Sequence, residues 1–384
     1  MALPPHIFTC ALFPRLQAQR KWLNGSKAMT KSLIRSKELS RPGPGHVPAS
    51  VARELLRIID QHDGDSRRFL RMAGLRQLLH LLDEDGPEVI ARHDFTLFYA
   101  RATATLDAHA ARQEGRDPLT KTGVDMMCHA IITCRTLRDV ISRLARFSEL
   151  LAPRTGALTL AIFGDEARLT MATLRNVRNG CSYLSDLTGL ASYHRLLGWL
   201  IGEDIPLSGV ALRYPPLLSR QTVAYLLPHT VQHHAPENAV RFPALYLDRP
   251  VVRNHHELDG MLARFPFDIE EPQSKAMPLS ERISHLFSSM LASGEALPTA
   301  GMLARQFSIS LATLKRRLEA EGTSLSHLKA TARHHIARRL LADPRLSITE
   351  IARRTRFSDA TAFRRAFRQW TGQSPSRWRE TAAN

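Results

Sequence analysis

Apolar residues recur at helical spacing through much of the first two thirds of the chain. After Thr136, which suits an N-cap, Leu, Val, Ile and Phe return every three or four residues as far as Leu151. Such spacing predicts a helix that buries one face. The same type of pattern predicts helices over residues 51–60, 69–82, 94–112, 183–201 and 255–265.

The pattern changes at Gly156, where apolar residues begin to alternate with other residues. Leu158, Leu160 and Ile162 alternate, Gly164 and the residue after it form a turn, and residues 168–173 return. Alternation on both sides of a short turn predicts a hairpin. Further short strands are predicted at residues 210–213, 239–242 and 245–247. Helices around a small sheet indicate an α+β domain.

From residue 279 onward every periodic segment is helical, and two short helices are predicted near the C-terminus. Ser347 and Glu350 have capping-box spacing and begin a helix that ends near Thr355. Asp359 suits the N-cap of the next helix, which Gly372 ends. Two short helices joined by a tight turn form a helix-turn-helix. The second helix has an apolar face with Phe363, Ala366, Phe367 and Trp370, and an opposite face with Thr361, Arg364, Arg365 and Arg368.

The same arrangement occurs about 48 residues earlier in the chain. Residues 301–307 form the first helix, and Ser310 caps the second helix after a short turn. Residues 325–341 are predicted to form a long helix between the two units. In the earlier second helix, Leu311, Leu314 and Leu318 are expected in the core, and Ala312, Lys315, Arg316 and Glu319 face outward.

These two segments carry a family resemblance. SITEIARRTRFSDATAFRRAFRQWTGQSPSRWR, residues 347–379, resembles the signature of the AraC/XylS regulators, and LARQFSISLATLKRRLEAEGTSL, residues 303–325, is similar to the family's first helix-turn-helix. The resemblance implies an all-α double helix-turn-helix DNA-binding domain. The base-facing positions that it implies are Ala312, Lys315, Arg316, Thr361, Ala362 and Arg365, and we add Arg364 and Arg368 from the same arginine face as DNA-binding residues.

The chain departs from the family pattern at one position in each turn. The family usually has glycine before the aromatic residue of the turn, but this chain has Ser308 and Arg356. Glycine at such a position suits a positive φ angle. Arg356 is therefore expected to strain the turn slightly or to add a phosphate contact.

The preceding region resembles the arabinose-binding type of sensor domain found in the same family. The similar stretches are residues 118–134, the hairpin GALTLAIFGDEARLTM and residues 228–268. The resemblance implies an effector-binding and dimerisation domain. We expect a basic arm at residues 1–45, this sensor domain at 46–270, a linker at 271–279 and the DNA-binding domain at 280–384.

The charge distribution supports a polyanionic partner. Lys and Arg number 53 against 36 Asp and Glu, which gives a formal net charge of +17. Residues 280–384 contain 18 basic and 8 acidic residues, so most of the surplus lies there. Double-stranded DNA is the expected partner, with an anionic membrane surface as the rival. No apolar run reaches the ~18 residues that a membrane span needs.

Patterns that would indicate catalysis or metal binding are weak. Cys128, His129 and Cys134 could form a zinc site, but packing in a helix explains them better, and the histidines at 229, 233 and 234 are interpreted as a loop. The chain has no nucleophile elbow, Walker loop or dinucleotide fingerprint. We therefore expect no enzyme activity, no cofactor and no metal.

The sequence favours a bacterial, cytoplasmic transcription regulator, expected to be an activator, whose DNA binding responds to an unknown small-molecule effector. RNA polymerase and a second copy of the chain are the other expected partners, and a membrane is not. Two alternatives stay open at this point. One is a DNA-repair or other enzyme fused to an AraC-type DNA-binding domain, and the other is a nonspecific architectural DNA binder.

Overall fold

The computed structural model describes residues 45–83, 85–152, 154–262, 265 and 277–383 of the chain. Residues 1–44 of the expected arm and residues 271–276 of the expected linker lie outside these residues. Residues 45–262 form a mixed region of helices and strands. Its helices are α1 Ala49–Asp63, α2 Ser66–Met72, α3 Arg92–Gln113, α4 Lys121–Ile131, α5 Leu137–Leu150, α6 Gly180–Ile201, α7 Arg220–Leu226 and α8 His255–Leu262.

Two sheets belong to the mixed region. β1 His46–Pro48 and β2 Val89–Ala91 form an antiparallel pair. The larger sheet has the order β3-β4-β7-β5-β6, in which only β5 and β6 are parallel. Its strands are β3 Leu158–Phe163, β4 Glu166–Met171, β5 Gly209–Ala211, β6 Val231–Gln232 and β7 Asn238–Pro243.

The predicted hairpin is confirmed and supplies two of the five strands of the larger sheet. Leu160 pairs with Leu169 across β3 and β4, and Leu169 pairs with Val240 on β7. Every second residue of β4, including Leu169 and Met171, is buried. Because the side-chain period of a strand is two, this face packs into the core while the other face is partly exposed. The long helix α6, hydrophobic along most of its length, contributes to the same core.

Several predicted elements of the mixed region are wrong in detail. The helix predicted at 69–82 is broken, because Gly74 has a φ of 72°, and a 3₁₀ turn, Arg76–Leu82, follows the break. The strand predicted at 245–247 is a 3₁₀ turn, Ala244–Asp248. Strands β1, β2 and β6 were not predicted, because each has only two or three residues and shows no alternation that a pattern could reveal.

Residues 279–383 form a second, helical region. Its helices are α9 Leu279–Ala292, α10 Ala300–Gln306, α11 Leu311–Ala320, α12 Leu325–Leu341, α13 Ile348–Arg354, α14 Ala360–Thr371 and α15 Pro375–Ala383. The described part of this region contains no strand, as the sequence predicts. Among the described residues, no helix combines the length and the apolar character that crossing a bilayer requires.

The long helix α12 joins two separate apolar cores. Its first two thirds, with Leu328 and Ile336, pack with α9, α10 and α11. Its last third, with Ala337 and Leu341, packs with α13, α14 and Trp378 of α15. Two helix-turn-helix units, α10–α11 and α13–α14, are therefore carried on one shared helix.

Candidate nucleic-acid interface

The second helix of the first unit, α11, presents a polar face to solvent. The Ser310 hydroxyl caps it by accepting from Thr313 N at 3.0 Å. Leu314 and Leu318 are buried, as predicted. Leu311 is not, because it lies at the first position of the helix and is 55% exposed, so its assignment to the core was wrong. The predicted outward residues Ala312, Lys315, Arg316 and Glu319 are all exposed.

The second helix of the second unit, α14, has the same organisation. The Asp359 carboxylate caps it by accepting from Ala362 N at 2.7 Å, and this hydrogen bond lowers the pKa of Asp359. Phe363 and Phe367 are fully buried. Thr361, Arg364, Arg365 and Arg368 are exposed, whereas Ala362 is partly buried. Seven of the eight predicted DNA-binding residues are thus fully accessible on two capped helices.

Aromatic residues pack on the side of α14 opposite its arginine face and hold the helix in place. Phe367 lies edge-on to Trp378 at 6.0 Å between ring centroids, and Trp370 contacts His334 of α12 at 5.4 Å. Arg338 lies over Trp378 at 5.0 Å. These rings face the core rather than solvent, so they fix the direction of the arginine face and are not a base-stacking surface.

Both turns have the positive φ angle for which the family uses glycine. Ser308 has a φ of 50° and Arg356 a φ of 62°. The backbone bonds are the same in the two turns: Ile309 N donates to Ala304 O, and Phe357 N donates to Ala352 O, both at 2.9 Å. In the second turn Arg333 of α12 also donates to Arg356 O at 3.3 Å. The local strain expected at Arg356 is therefore present in the backbone, and Ser308 has the same strained conformation.

A basic groove of about 580 Å³ lies between the C-terminal end of α9, the second half of α12 and the end of α13, and the sequence analysis did not predict it. Arg339, Arg353, Arg354 and Arg356 line it. Arg353 and Arg354 donate to the Glu350 carboxylate, which lowers the pKa of Glu350 to about 2. Glu350 thus binds these two arginines at the end of its helix. Residues on three separate segments meet here, so sequence spacing gave no signal.

Cysteine and histidine side chains that the sequence offered as metal ligands pack in the core or bond to other groups of the protein. Cys128 and Cys134 are buried free thiols, and burial raises the pKa of both. Within the described residues, no three His, Cys, Asp or Glu side chains are placed to hold a metal ion. His233 bonds to the Tyr183 hydroxyl at 2.8 Å. The segment containing it was interpreted as a loop, but it includes the short strand β6.

The mixed region contains a buried polar network that the sequence analysis also missed. The Asp186 carboxylate accepts from the Tyr214 hydroxyl at 2.6 Å and from the Asn238 amide at 2.7 Å. Nearby, Arg175 forms an ion pair with Asp107 and donates to Ser185. The Arg175 side chain is only 7% exposed, and its Nη1 has no hydrogen-bond partner among the described residues. An unsatisfied buried guanidinium nitrogen is unusual, because it loses water without a replacement.

Comparison with known proteins gives two family matches that together cover most of the chain. Residues 64–251 match the arabinose-binding domain found at the N-terminus of AraC transcription regulators, and residues 303–381 match a helix-turn-helix domain. The ornithine utilization regulator of Pseudomonas aeruginosa is 27% identical over 233 residues, which is 58% of this chain and 66% of that protein. The regulator VirS of Mycobacterium tuberculosis is 32% identical over 137 residues, 32% of this chain and 40% of VirS.

Two further proteins are similar over part or most of the chain. The regulator VqsM of Pseudomonas aeruginosa is 27% identical over 193 residues, which is 49% of this chain and 57% of VqsM. The crystal structure of the regulator CdpR from the same organism aligns over 86% of this chain and 97% of its own, with 18% identity and a TM-score of 0.30. The matched segments thus span 66% or less of the length of these three relatives. With an arabinose-binding-type domain followed by two helix-turn-helix units, this chain belongs to the AraC family of transcriptional regulators.

Proposed function

We propose that the protein is a sequence-specific DNA-binding transcription regulator whose DNA binding is controlled by a small-molecule effector. The observation that carries the proposal is the pair of capped helices, α11 and α14, each with a buried apolar face and an exposed polar or basic face. The matched arabinose-binding domain supports the effector part. Residues 46–270 form the effector-binding and dimerisation domain in this proposal, and residues 280–384 form the DNA-binding domain.

The two units are proposed to enter successive major grooves on one face of the DNA. The helix between them, α12, has 17 residues, so it is about 25 Å long at ~1.5 Å per residue. A connection of this length suits two units that address grooves about one helical turn apart, near ~34 Å. Ala312, Lys315 and Arg316 then face bases in one groove, and Thr361, Ala362 and Arg365 in the next, with Arg364 and Arg368 beside them.

Arg365 provides the test of base recognition. Duplexes that bind the full chain are first selected from a random pool, and the affinities for a selected and a random duplex are then compared. Arg365→Ala is expected to reduce discrimination at one or two base pairs, since an arginine that reads guanine contributes ~1–3 kcal/mol. The control is Arg377→Ala, an exposed arginine on α15, which should leave discrimination unchanged.

Two outcomes of this experiment would contradict the proposal. Equal losses on selected and random DNA for Arg365→Ala would mean that the residue contacts phosphate rather than bases. A pool that never becomes enriched in a sequence would indicate a nonspecific architectural binder. Circular dichroism of the unmodified chain and of the variant separates either result from misfolding.

The effector is proposed to bind within the mixed region, and the network around Arg175 and Asp186 is the candidate recognition site. The unpartnered Arg175 Nη1 suits a carboxylate or another anionic group. Thermal-shift screening of the full chain against carboxylate-bearing and uncharged metabolites tests this, because a ligand of the native state raises the melting temperature. If only uncharged metabolites shift the melting temperature, Arg175 is not the recognition group.

The remaining partners are proposals that rest on the family. A homodimer would place two DNA-binding domains on one promoter and raise avidity without new contacts. An activator would also contact RNA polymerase, and the location would be the bacterial cytoplasm. Sedimentation of the full chain with and without a selected duplex counts the subunits.

A further inference from the structure

A cluster of three charged side chains joins the mixed region to the helical region. Glu203 follows α6, Arg249 follows the 3₁₀ turn Ala244–Asp248, and Arg282 lies in α9. Arg249 Nε lies 3.2 Å from Glu203 Oε1, and Arg282 pairs with the same oxygen. The arginine side chains are each 8% exposed and that of Glu203 is 18% exposed. One carboxylate thus pairs with two guanidinium groups, one from each region, in a nearly water-free contact.

Between them, the two arginines contact the end of α10 and the turn after it. This turn leads into α11, which is called the first reading helix because it is proposed to read DNA, as α14 is the second. Arg249 Nη1 donates to the carbonyl of Gln306, the last residue of α10, at 3.2 Å. The Arg282 guanidinium lies 4.6 Å from the centroid of the Phe307 ring. Ser308, with its positive φ, comes next and is followed closely by α11. The cluster therefore holds the turn that sets the direction of the first polar face.

Other contacts between the two regions fall on α9 and the residues that flank it, and α9 shares its core with the first unit. Met277 N donates to Gly202 O at 3.1 Å, and the imidazole of His285 lies 2.9 Å from Val252 O. The carboxylate of Glu295, between α9 and α10, accepts from Arg135 at 2.9 Å. In the described residues, the hydrogen bonds and ion pairs found between the mixed region and the helical region all involve residues 277–306. The mixed region thus contacts α9, its flanking residues and the end of α10, and none of these bonds between described residues involves the second unit.

Not every hydrogen-bond donor of the cluster has an acceptor among the described residues, which suits a contact that can be released. Within the described part of the chain, Arg282 Nε has no hydrogen-bond partner, and Arg249 Nε faces Glu203 Oε1 at ion-pair distance without the geometry of a hydrogen bond. Removing charges from water costs nearly as much as their attraction returns, so a buried ion cluster contributes little net stability while it is complete. A small displacement of Glu203 leaves two buried positive charges without a counter-charge. The cluster is therefore sensitive to movements of the mixed region.

We propose that Arg249 and Arg282, held by Glu203, are positioning residues that couple the mixed region to the first reading helix and not to the second. This inference rests on the proposed function, because it assumes that both helices read DNA. Its consequence is that the effector changes recognition in one half of the binding site. The other half, read by α14, keeps its contribution whether or not the cluster is formed.

The test uses the full chain and duplexes in which either half of a selected site is scrambled. Lys315→Ala first identifies the half that α11 reads. Glu203→Gln is then expected to reduce discrimination in that half about tenfold, within the usual range of coupling between sites, and to leave the other half unchanged within about twofold. The control is Glu295→Gln, which removes the solvent-exposed pair with Arg135 and should change neither half.

A second variant guards against failure to fold. If Glu203→Gln is unfolded, the combined replacement of Glu203, Arg249 and Arg282 by Leu, Met and Met removes every charge, and such apolar replacements are often tolerated. It should show the same loss in one half. Equal losses in both halves, or no loss in a folded variant, would overturn the inference. Failure of the proposed function is distinct, because then no sequence would be selected by the unmodified chain.

Discussion

Replacing Ser308 by glycine is expected to stabilise the protein without changing its charge. Ser308 has a φ of 50°, is exposed, and donates only a backbone bond, from its N to Arg305 O at 2.9 Å. A residue with a Cβ in the left-handed region costs about 1–2 kcal/mol. Glycine removes this strain but loses ~0.5–1 kcal/mol through the greater freedom of the unfolded chain. The expected net gain is about 0.5–1 kcal/mol.

Gly372 offers the reverse substitution in the same backbone conformation. It ends α14 with a φ of 74°, and an added Cβ would meet no atom within 4 Å. Gly372→Ala therefore introduces the backbone strain without a steric clash. We expect a loss of about 0.5–1 kcal/mol, equal in size and opposite in sign to the effect of Ser308→Gly.

The measurement is urea unfolding of the full chain, followed by tryptophan fluorescence and circular dichroism at constant pH and salt. The urea midpoints of the two variants should shift in opposite directions, while the slope of the unfolding free energy against urea concentration stays unchanged. If Ser308→Gly destabilised the protein by more than about 1 kcal/mol, the strain argument would be refuted, since a side-chain interaction would then outweigh it. Arg356→Gly should stabilise similarly, but it also removes a charge from the basic groove, so its DNA affinity should fall at low salt.

Two further results are expected from burial. Leu314→Ala, at a buried position, should cost about 2–5 kcal/mol in unfolding free energy. Leu311→Ala, at an exposed position one turn away, should cost less than about 1 kcal/mol. Similar losses for the two variants would mean that Leu311 is covered in solution. Burial raises the pKa of Cys128 to about 12 and of Cys181 to about 11, so roughly one thiol in a thousand or fewer is ionised at pH ~8. Both should resist iodoacetamide until urea unfolds the protein, and mass spectrometry of the native protein that found either one rapidly alkylated would contradict this.

Local rules explain why much of the DNA-binding region was predictable. The caps at Ser310, Ser347 and Asp359 form as predicted, because each side chain bonds a backbone N–H three residues away. The buried positions of Phe363 and Phe367 follow from their spacing of four residues. These signals need only neighbours in the chain. The same rules failed at Leu311, because the first position of a helix satisfies the spacing without being covered by the rest of the unit.

The sequence by itself therefore determined the hairpin, the long helices, the two helix-turn-helix units and their outward polar faces. Only the tertiary structure decided what lies beside them. Glu203, Arg249 and Arg282 are separated by dozens of residues, and charged side chains are expected at the surface, so no pattern indicates that they meet in a buried cluster. The basic groove and the network around Asp186 also unite residues from separate segments. Periodicity predicts which face of an element is buried, but the partner of that face depends on the packing of the whole chain.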